Sequence, residues 1–513
     1  MKKLSKVLLA ASMIYGSFSA TAAADVAGAP NFNDISGHWA EDVITRAHDL
    51  KLIVGYEEGT FKPNGEITRA EFAAMLSRAT DLPVKTGGNP FYDMTGHWAE
   101  AAVTQLVDQG FINPSDYSTG FNPYAQLTRY EMMNWISNGL MKSNETFIQA
   151  FEDTKNTLLP TPEAIRSEIS SDKVPYIALA RGTGIIGGFE DGSVKPQNTT
   201  TRAEVAAILL RYKDVEGKTA DSYSDLNELR EVGLTGANAT SISPYRYQQI
   251  SEKDESGRIK KEYLSFIGIY LNDHTDYKAM ETFLQNPDVV IRYHDGKDPG
   301  TERFEKFSTL NMSLRDVAFK AMNAGEIVYM GLQNPKNISD EEMNRYMADS
   351  NVHLKVDKSI IPYTNFSNVK DQPIQMGDVA ELQVHRLLLI PTGEIARQGA
   401  VSVYTSLFKA DELIEGNNDY MVLYESTLHI KKDTNLLALL NAQGKALGNP
   451  LFGRLQRFNK EMNSKSELPV IPQIPGDFFK QGAVNRFWSY EPSPYDSIWV
   501  ATDSGAYFKL SRP

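Results

Sequence analysis

Ile67-Thr68-Arg69-Ala70-Glu71-Phe72 recurs as Leu127-Thr128-Arg129-Tyr130-Glu131-Met132 and again as Thr200-Thr201-Arg202-Ala203-Glu204-Val205. Each copy of Thr-Arg-x-Glu precedes an apolar run at helical spacing: Phe72, Met75, Leu76 and Ala79 after the first, Val205, Ile208 and Leu209 after the third. Thr68 with Glu71, Thr128 with Glu131, and Thr201 with Glu204 fit capping boxes. In such a box the Thr hydroxyl accepts from a backbone N–H and the Glu reaches back to the cap residue's own N–H. Helix starting explains the Thr and the Glu but not the Arg. A cation is poorly placed beside the positive end of a helix. Arg69, Arg129 and Arg202 are therefore expected to act outside their own helices, the alternative being three solvated side chains.

The chain has 513 residues, room for several domains. Its 41% hydrophobic and 23% charged content is ordinary for soluble protein. A net charge of −13 disfavours nucleic acid and anionic membrane as partners, so an anionic ligand would need local, positioned cations. With no cysteine, disulfides and thiolate metal sites are excluded. Residues 1–24 read as a secretory signal: Lys2, Lys3 and Lys6, a short apolar core from Val7 to Phe18, then small residues up to Ala24. No later membrane span is expected.

More of the chain aligns on the boxes. Repeat one (30–82) has Phe32-x-Asp34, His38-Trp39-Ala40-Glu41, an apolar-periodic helix, Gly55-Tyr56, Gly59, Phe61 and Pro63. Repeat two (89–143) has Phe91-x-Asp93, His97-Trp98-Ala99-Glu100, Phe121 and Pro123, but Asn113 to Ser118 replaces the Gly-aromatic pattern and Tyr130 replaces Ala. Repeat three (150–214) has Phe151-x-Asp153, Gly188-Phe189, Gly192, Val194 and Pro196. It has Ser171 and Asp172 in place of His-Trp, and an insertion between Asp153 and Arg202. Two short helices and a loop cannot bury their apolar faces alone, so the repeats are expected to stack around a shared core. Trp39 and Trp98 are expected to anchor it, the alternative being a ligand-stacking platform. Gly59 and Gly192 sit where a tight turn needs positive φ.

These residues resemble the S-layer homology family, over roughly residues 30 to 214. The resemblance implies an all-α, pseudo-threefold helical prism of three tandem modules. It also implies that grooves between modules bind a secondary cell-wall polysaccharide carrying a pyruvate ketal, which holds the protein on the outer surface of a bacterium. A guanidinium fork suits such a fixed carboxylate, and a helix N-terminus adds free N–H groups. Arg69, Arg129 and Arg202 are then the ligand-binding candidates, with Arg69 and Arg202 expected to carry most of the affinity. Asp34, Asp93 and Asp153 would accept from sugar hydroxyls or orient the Arg, unless they are turn caps. Tyr56 and Phe189 would pack on a sugar face, unless they pack the loop.

Residues 220–513 read as an α+β, strand-rich region of one or two domains. Strand-like stretches include Glu262 to Leu271, Val289 to Tyr293, Glu326 to Leu332, Ala380 to Ile390, Ala400 to Leu407, Tyr420 to Ile430 and Ile498 to Leu510. No catalytic motif appears: no Gly-x-Ser-x-Gly, His-Glu-x-x-His or phosphate loop. No cofactor or metal is called for, and Asp295-Gly296-Lys297-Asp298 lacks the ligands of a calcium loop. These absences favour a non-enzymatic surface, lattice or adhesion protein, open to self-association. A wall-anchored hydrolase of glycan or peptide is the alternative, since paired carboxylates carry no motif.

Overall fold

The computed structural model describes residues 32–239 except 84–86 and 190. Beyond them it describes stretches within 241–249, 266–333, 354–360, 365–407, 420–439, 477–493 and 497–512. The expected signal segment, the Asp295 loop and the Pro-rich run from Leu468 to Pro475 lie outside the described residues. The helical part comprises α1 (Glu41–Asp49), α2 (Arg69–Ala79), α3 (Glu100–Asp108), α4 (Arg129–Ser143), α5 (Thr146–Asp153), α6 (Pro162–Ile165), α7 (Val174–Gly182), α8 (Arg202–Val215) and α9 (Ser224–Thr235).

All three capping boxes are formed. The backbone N–H groups of Thr68, Thr128 and Thr201 donate to Glu71, Glu131 and Glu204 at 2.9, 3.1 and 2.8 Å, and each Thr hydroxyl accepts from the matching Glu N–H. A box leaves other first-turn N–H groups without a partner. Carbonyls from another repeat take them. Arg69 and Ala70 donate to Ala125 and Pro123, Arg129 and Tyr130 to Asn198 and Pro196, and Arg202 and Ala203 to Gly65 and Pro63, all at 2.8–3.0 Å. Repeat one thus leans on repeat two, two on three, and three on one, so the ring of contacts closes.

The apolar residues behind the caps are buried as their spacing predicts: Phe72, Met75, Leu76 and Ala79, and Val205, Ile208 and Leu209. The expectation for Trp39 and Trp98 is overturned, since they are 58% and 62% exposed. Each stands two residues before a helix, and the residue between, Ala40 or Ala99, is what goes inside. The core indole is Trp135 on α4, stacked between Phe72 (5.5 Å) and Phe121 (5.8 Å). Gly59 and Gly192 do adopt positive φ (74° and 75°).

The rest of the described chain contains three antiparallel sheets. One runs β3-β6-β4-β5, from β3 (Phe266–Leu271), β4 (Val289–His294), β5 (Arg303–Lys306) and β6 (Ile327–Gln333). Its own core includes Ile291, Val328 and Met330 against Val317 and Ala321 of α11 (Leu314–Asn323), and the short α10 (Tyr277–Met280) follows β3. A second runs β11-β10-β9-β8, from β8 (Ile374–Met376), β9 (Ala380–Pro391), β10 (Tyr420–Ile430) and β11 (Val484–Ser493). The third holds β1 (Ser241–Ile242), β13 (Ala506–Ser511), β2 (Tyr245–Gln249) and β7 (Leu354–Ile360), with β12 (Ser497–Ala501) on β13. The stretch Ile498 to Leu510 is therefore two antiparallel strands. Residues 403–407 form a 3-10 turn where a strand was expected. The Ser402 hydroxyl accepts from the Tyr404 N–H and its carbonyl from the Thr405 N–H, local bonding that overrides β propensity.

The second sheet is not a separate body. Leu388, Ile390, Val403, Tyr404, Leu407 and Leu423 share one continuous core with the helices. Tyr404, fully buried, donates to the Leu158 carbonyl at 3.0 Å, and the Ser406 hydroxyl donates to that of Pro160 at 3.0 Å. The Ser406 carbonyl closes so tightly on Gly192 that a side chain there has no room. Glu228 of α9 accepts from the Ser402 hydroxyl (2.7 Å) and the Val403 N–H (2.8 Å).

Two outcomes follow for stability. Thr201→Ala removes a cap and is expected to cost about 1 kcal/mol in urea unfolding. Tyr404→Ala leaves a cavity and an unpaired carbonyl and should cost about 3–5 kcal/mol, while Tyr404→Phe should cost about 1 kcal/mol. Calorimetry of the full chain should show helices and second sheet melting together. A helical transition untouched by Tyr404→Ala would contradict this joint.

Candidate functional site

The three ring junctions are built alike. Arg69 donates from Nε to Glu131 (2.8 Å) and from Nη1 to the Phe121 carbonyl (3.0 Å), with its guanidinium 5.2 Å from the Tyr117 ring. Arg129 donates to the Val194 (2.9 Å) and Gly187 (3.4 Å) carbonyls. It lies 3.6 Å from Glu204 and 4.7 Å from the Phe189 ring. Arg202 donates to the Phe61 (2.8 Å) and Val54 (3.1 Å) carbonyls and to Glu71 (3.1 Å), 4.6 Å from the Tyr56 ring. Each arginine that sits badly on its own helix thus pairs with the capping-box glutamate of the next one. The Arg69 side chain stays 19% exposed, while those of Arg129 and Arg202 are 5% and 4% exposed.

Burial lowers the Arg129 and Arg202 guanidinium values. Burial also pushes the Glu71 carboxyl upward, but hydrogen bonds from Tyr56 and Thr68 and the charge of Arg202 outweigh it and hold the group below the usual carboxylate range. Tyr56 donates to Glu71 at 2.7 Å, and burial first, then that bond, pushes its hydroxyl up to about 12.

Asp34 accepts from the Phe61 (2.8 Å) and Lys62 (2.7 Å) N–H groups, and Asp93 from those of Phe121 (3.0 Å) and Asn122 (2.7 Å). Lys62 and Asn122 are left-handed, at φ 57° and 54°, so each aspartate holds a strained loop residue beneath its junction. Asp153 lies elsewhere, accepting from Gln149 (2.7 Å) and Arg230 (2.9 Å). Glu163 takes its expected place, accepting from the Val194 (3.0 Å) and Lys195 (2.9 Å) N–H groups, with Lys195 at φ 45°. The phase error came from matching Phe-x-Asp to Phe151. The insertion between Asp153 and Arg202 left room for a later acid.

Tyr117 was also passed over. It precedes Gly120 by the same offset that separates Tyr56 from Gly59 and Phe189 from Gly192, and that offset was the available signal. Repeat two therefore keeps the loop aromatic at its junction.

The exposed indoles complete two junctions. The Trp39 ring lies 5.5 Å from His38, whose Nε2 is 3.1 Å from Asn64 Oδ1. Asn64 sits between Pro63 and Gly65, the residues that receive the α8 N-terminus, so Trp39 stands at the Arg202 junction. Trp98 lies 5.5 Å from His97, which is 5.1 Å from Tyr124. Tyr124 sits between Pro123 and Ala125, which receive α2, so Trp98 stands at the Arg69 junction. The Arg129 junction differs. Exposed Ser171 and Asp172 replace the His-Trp pair, and Tyr130 replaces the alanine of α2 and α8. Tyr130 lies under the Lys173 ammonium (4.8 Å) and against Tyr176 (6.4 Å), and burial pushes its hydroxyl up to about 12.

The S-layer homology domain family matches this chain at residues 31–73 and 167–206. Among curated proteins, the chain is 30% identical to an amylopullulanase of Thermoanaerobacterium thermosulfurigenes over 35% of its own length and 9% of that protein's. It is 27% identical to an uncharacterized cell wall amidase of Bacillus anthracis, over 53% of this chain and 49% of the relative. It is 26% identical to an S-layer protein of Bacillus thuringiensis subsp. finitimus, over 41% and 24%. The chain therefore spans less than half the length of each of these relatives. Among the described residues no helix is long and apolar enough to cross a membrane. With the boxed helices, the two matched segments and the S-layer relatives taken together, this chain carries S-layer homology domains and is a secreted protein of the bacterial cell surface, anchored to the wall.

Proposed function

We propose that the helical part is a pseudo-threefold prism of three S-layer homology modules. In this reading it binds an acidic, pyruvate-bearing wall polysaccharide, and it carries the strand-rich region outward as a structural or adhesive surface element. The observation that carries this reading is the pairing of an exposed tryptophan with a helix N-terminus and its arginine at two junctions, Trp98 with Arg69 and Trp39 with Arg202. An indole offers a face to a pyranose ring, and a guanidinium beside it that keeps hydrogens to donate, as Arg69 does, suits a carboxylate. Arg69, with Nη hydrogens beyond those it donates and a partly exposed side chain, reaches the ligand directly. Arg202 and Arg129, buried, act by holding the loops of Tyr56 and Phe189 in place, and Asp34 and Asp93 by fixing the backbone beneath. The Arg129 junction, with Tyr130 and no indole, contributes least. Self-association of the displayed region belongs to the same reading.

Arg→Ala changes would break the ring as well as the site, so the exposed indoles give the cleaner test. Trp39→Ala and Trp98→Ala should each weaken binding to purified walls about fivefold, for a face contact of about 1 kcal/mol. The double variant should lose far more through avidity, with an unchanged melting curve. Full sedimentation of the double variant with walls would refute the assignment.

Acid should release the protein. Glu71 has a folded pKa below its unfolded value of about 4.3. Its contribution to the Arg202 junction is therefore complete above that value and lost as pH falls through the folded one. Retention on walls should be flat from about pH 8 to 5 and decline below about pH 4. In Glu71→Gln, a decline that keeps its full depth would show that Glu71 is not responsible.

A further inference from the structure

The four-stranded unit of residues 266–333 has a cavity of about 630 Å³, within the range of small-ligand sites. Its wall is aromatic: Tyr277 from α10, Phe307 after β5 and Phe319 from α11 all line it. Phe319 is half-buried and lies outside the unit's apolar core. Its ring contacts are Tyr277, 6.0 Å away, and the Arg315 guanidinium, 5.3 Å away. Tyr277 is held by its hydroxyl, which donates to the Asn272 carbonyl at 2.8 Å. Among the described lining residues, the cations Lys278 and Arg315 and the acid Glu281 are exposed at the cavity, in a chain of net charge −13. Neither cation makes an ion pair among the described residues, whereas Arg303 in the same unit is paired with both Glu305 and Glu326.

A fold has little reason to leave a large ring outside its core beneath an unpaired guanidinium. Rings with an apolar face and a carboxylate satisfy both features at once, the face against Phe319 and Tyr277, the carboxylate against Arg315 and Lys278. On a wall-bound protein, the abundant molecules of that chemistry are acidic sugars. We infer that this cavity is a second binding site, separate from the ring junctions, and that its ligand is a pyranose carboxylate. Two sources share that chemistry: a uronic-acid wall polymer and the lactyl sugar of peptidoglycan.

Calorimetric titration of the full chain tests this, with a glucuronate oligosaccharide, N-acetylmuramic acid and neutral N-acetylglucosamine as probes. At least one acidic probe should bind, with the neutral sugar about tenfold weaker or worse. Preference between the two acids identifies the source. Arg315→Ala and Phe319→Ala should each lower affinity about tenfold or more, with melting unchanged because both side chains stand outside the core. Trp39→Ala/Trp98→Ala should leave this binding intact, which separates it from wall anchoring. The inference is overturned if neither acid binds at about 10 mM, or if acid and neutral sugars bind equally. It is also overturned if an acidic peptide occupies these residues while the sugars do not.

Discussion

Everything in the helical part depends on an arginine at the mouth of one helix meeting the capping glutamate of the next. Alone, each half is unfavourable. The guanidinium faces a helix end of its own sign, and the glutamate is partly desolvated. Together, with loop carbonyls taking further hydrogens, Arg69 and Arg202 make charge-assisted bonds and Arg129 an ion pair, in partly or fully buried sites. Because the pairs run in one direction around three helices, removing one partner leaves a buried charge uncompensated. The penalty for that is several kcal/mol, and it explains how units too small to fold alone share one core.

The boxes, their caps, the buried periodic residues and the positive-φ glycines were legible because each is a short-range pattern with a local cause. The role of Arg was half legible: sequence gave the electrostatic misfit, and the cross-repeat glutamate that resolves it lies 62 positions from Arg69. Tryptophan size suggested core for Trp39 and Trp98, yet their small neighbours Ala40 and Ala99 were the inward residues. Glu163 was hidden by an insertion and by a change of acid. In the strand-rich region, existence of strands was readable from composition. Pairing was not, since β3 meets β6 across α11 through contacts distant in sequence. The 403–407 turn was lost to Ser402 bonding that no propensity captures.

The joint at Tyr404 ties the helical part to the second sheet. Because the second sheet and the third repeat share one buried core, force or orientation imposed on one is passed to the other. Repetition has also been spent unevenly. Two junctions keep an indole beside alanine at the helix start. The third gives that space to Tyr130 and, one face away, lends its loop at Gly192 to the sheet.

Hydroxyl-radical footprinting of the protein with and without purified wall glycan is the most direct measurement of where that glycan sits. The account predicts that Trp39 and Trp98 become protected, that Tyr130 does not, and that glycan stripped of its pyruvate protects neither indole. Unchanged labelling of both tryptophans at saturating glycan, or protection centred on Tyr130, would contradict it.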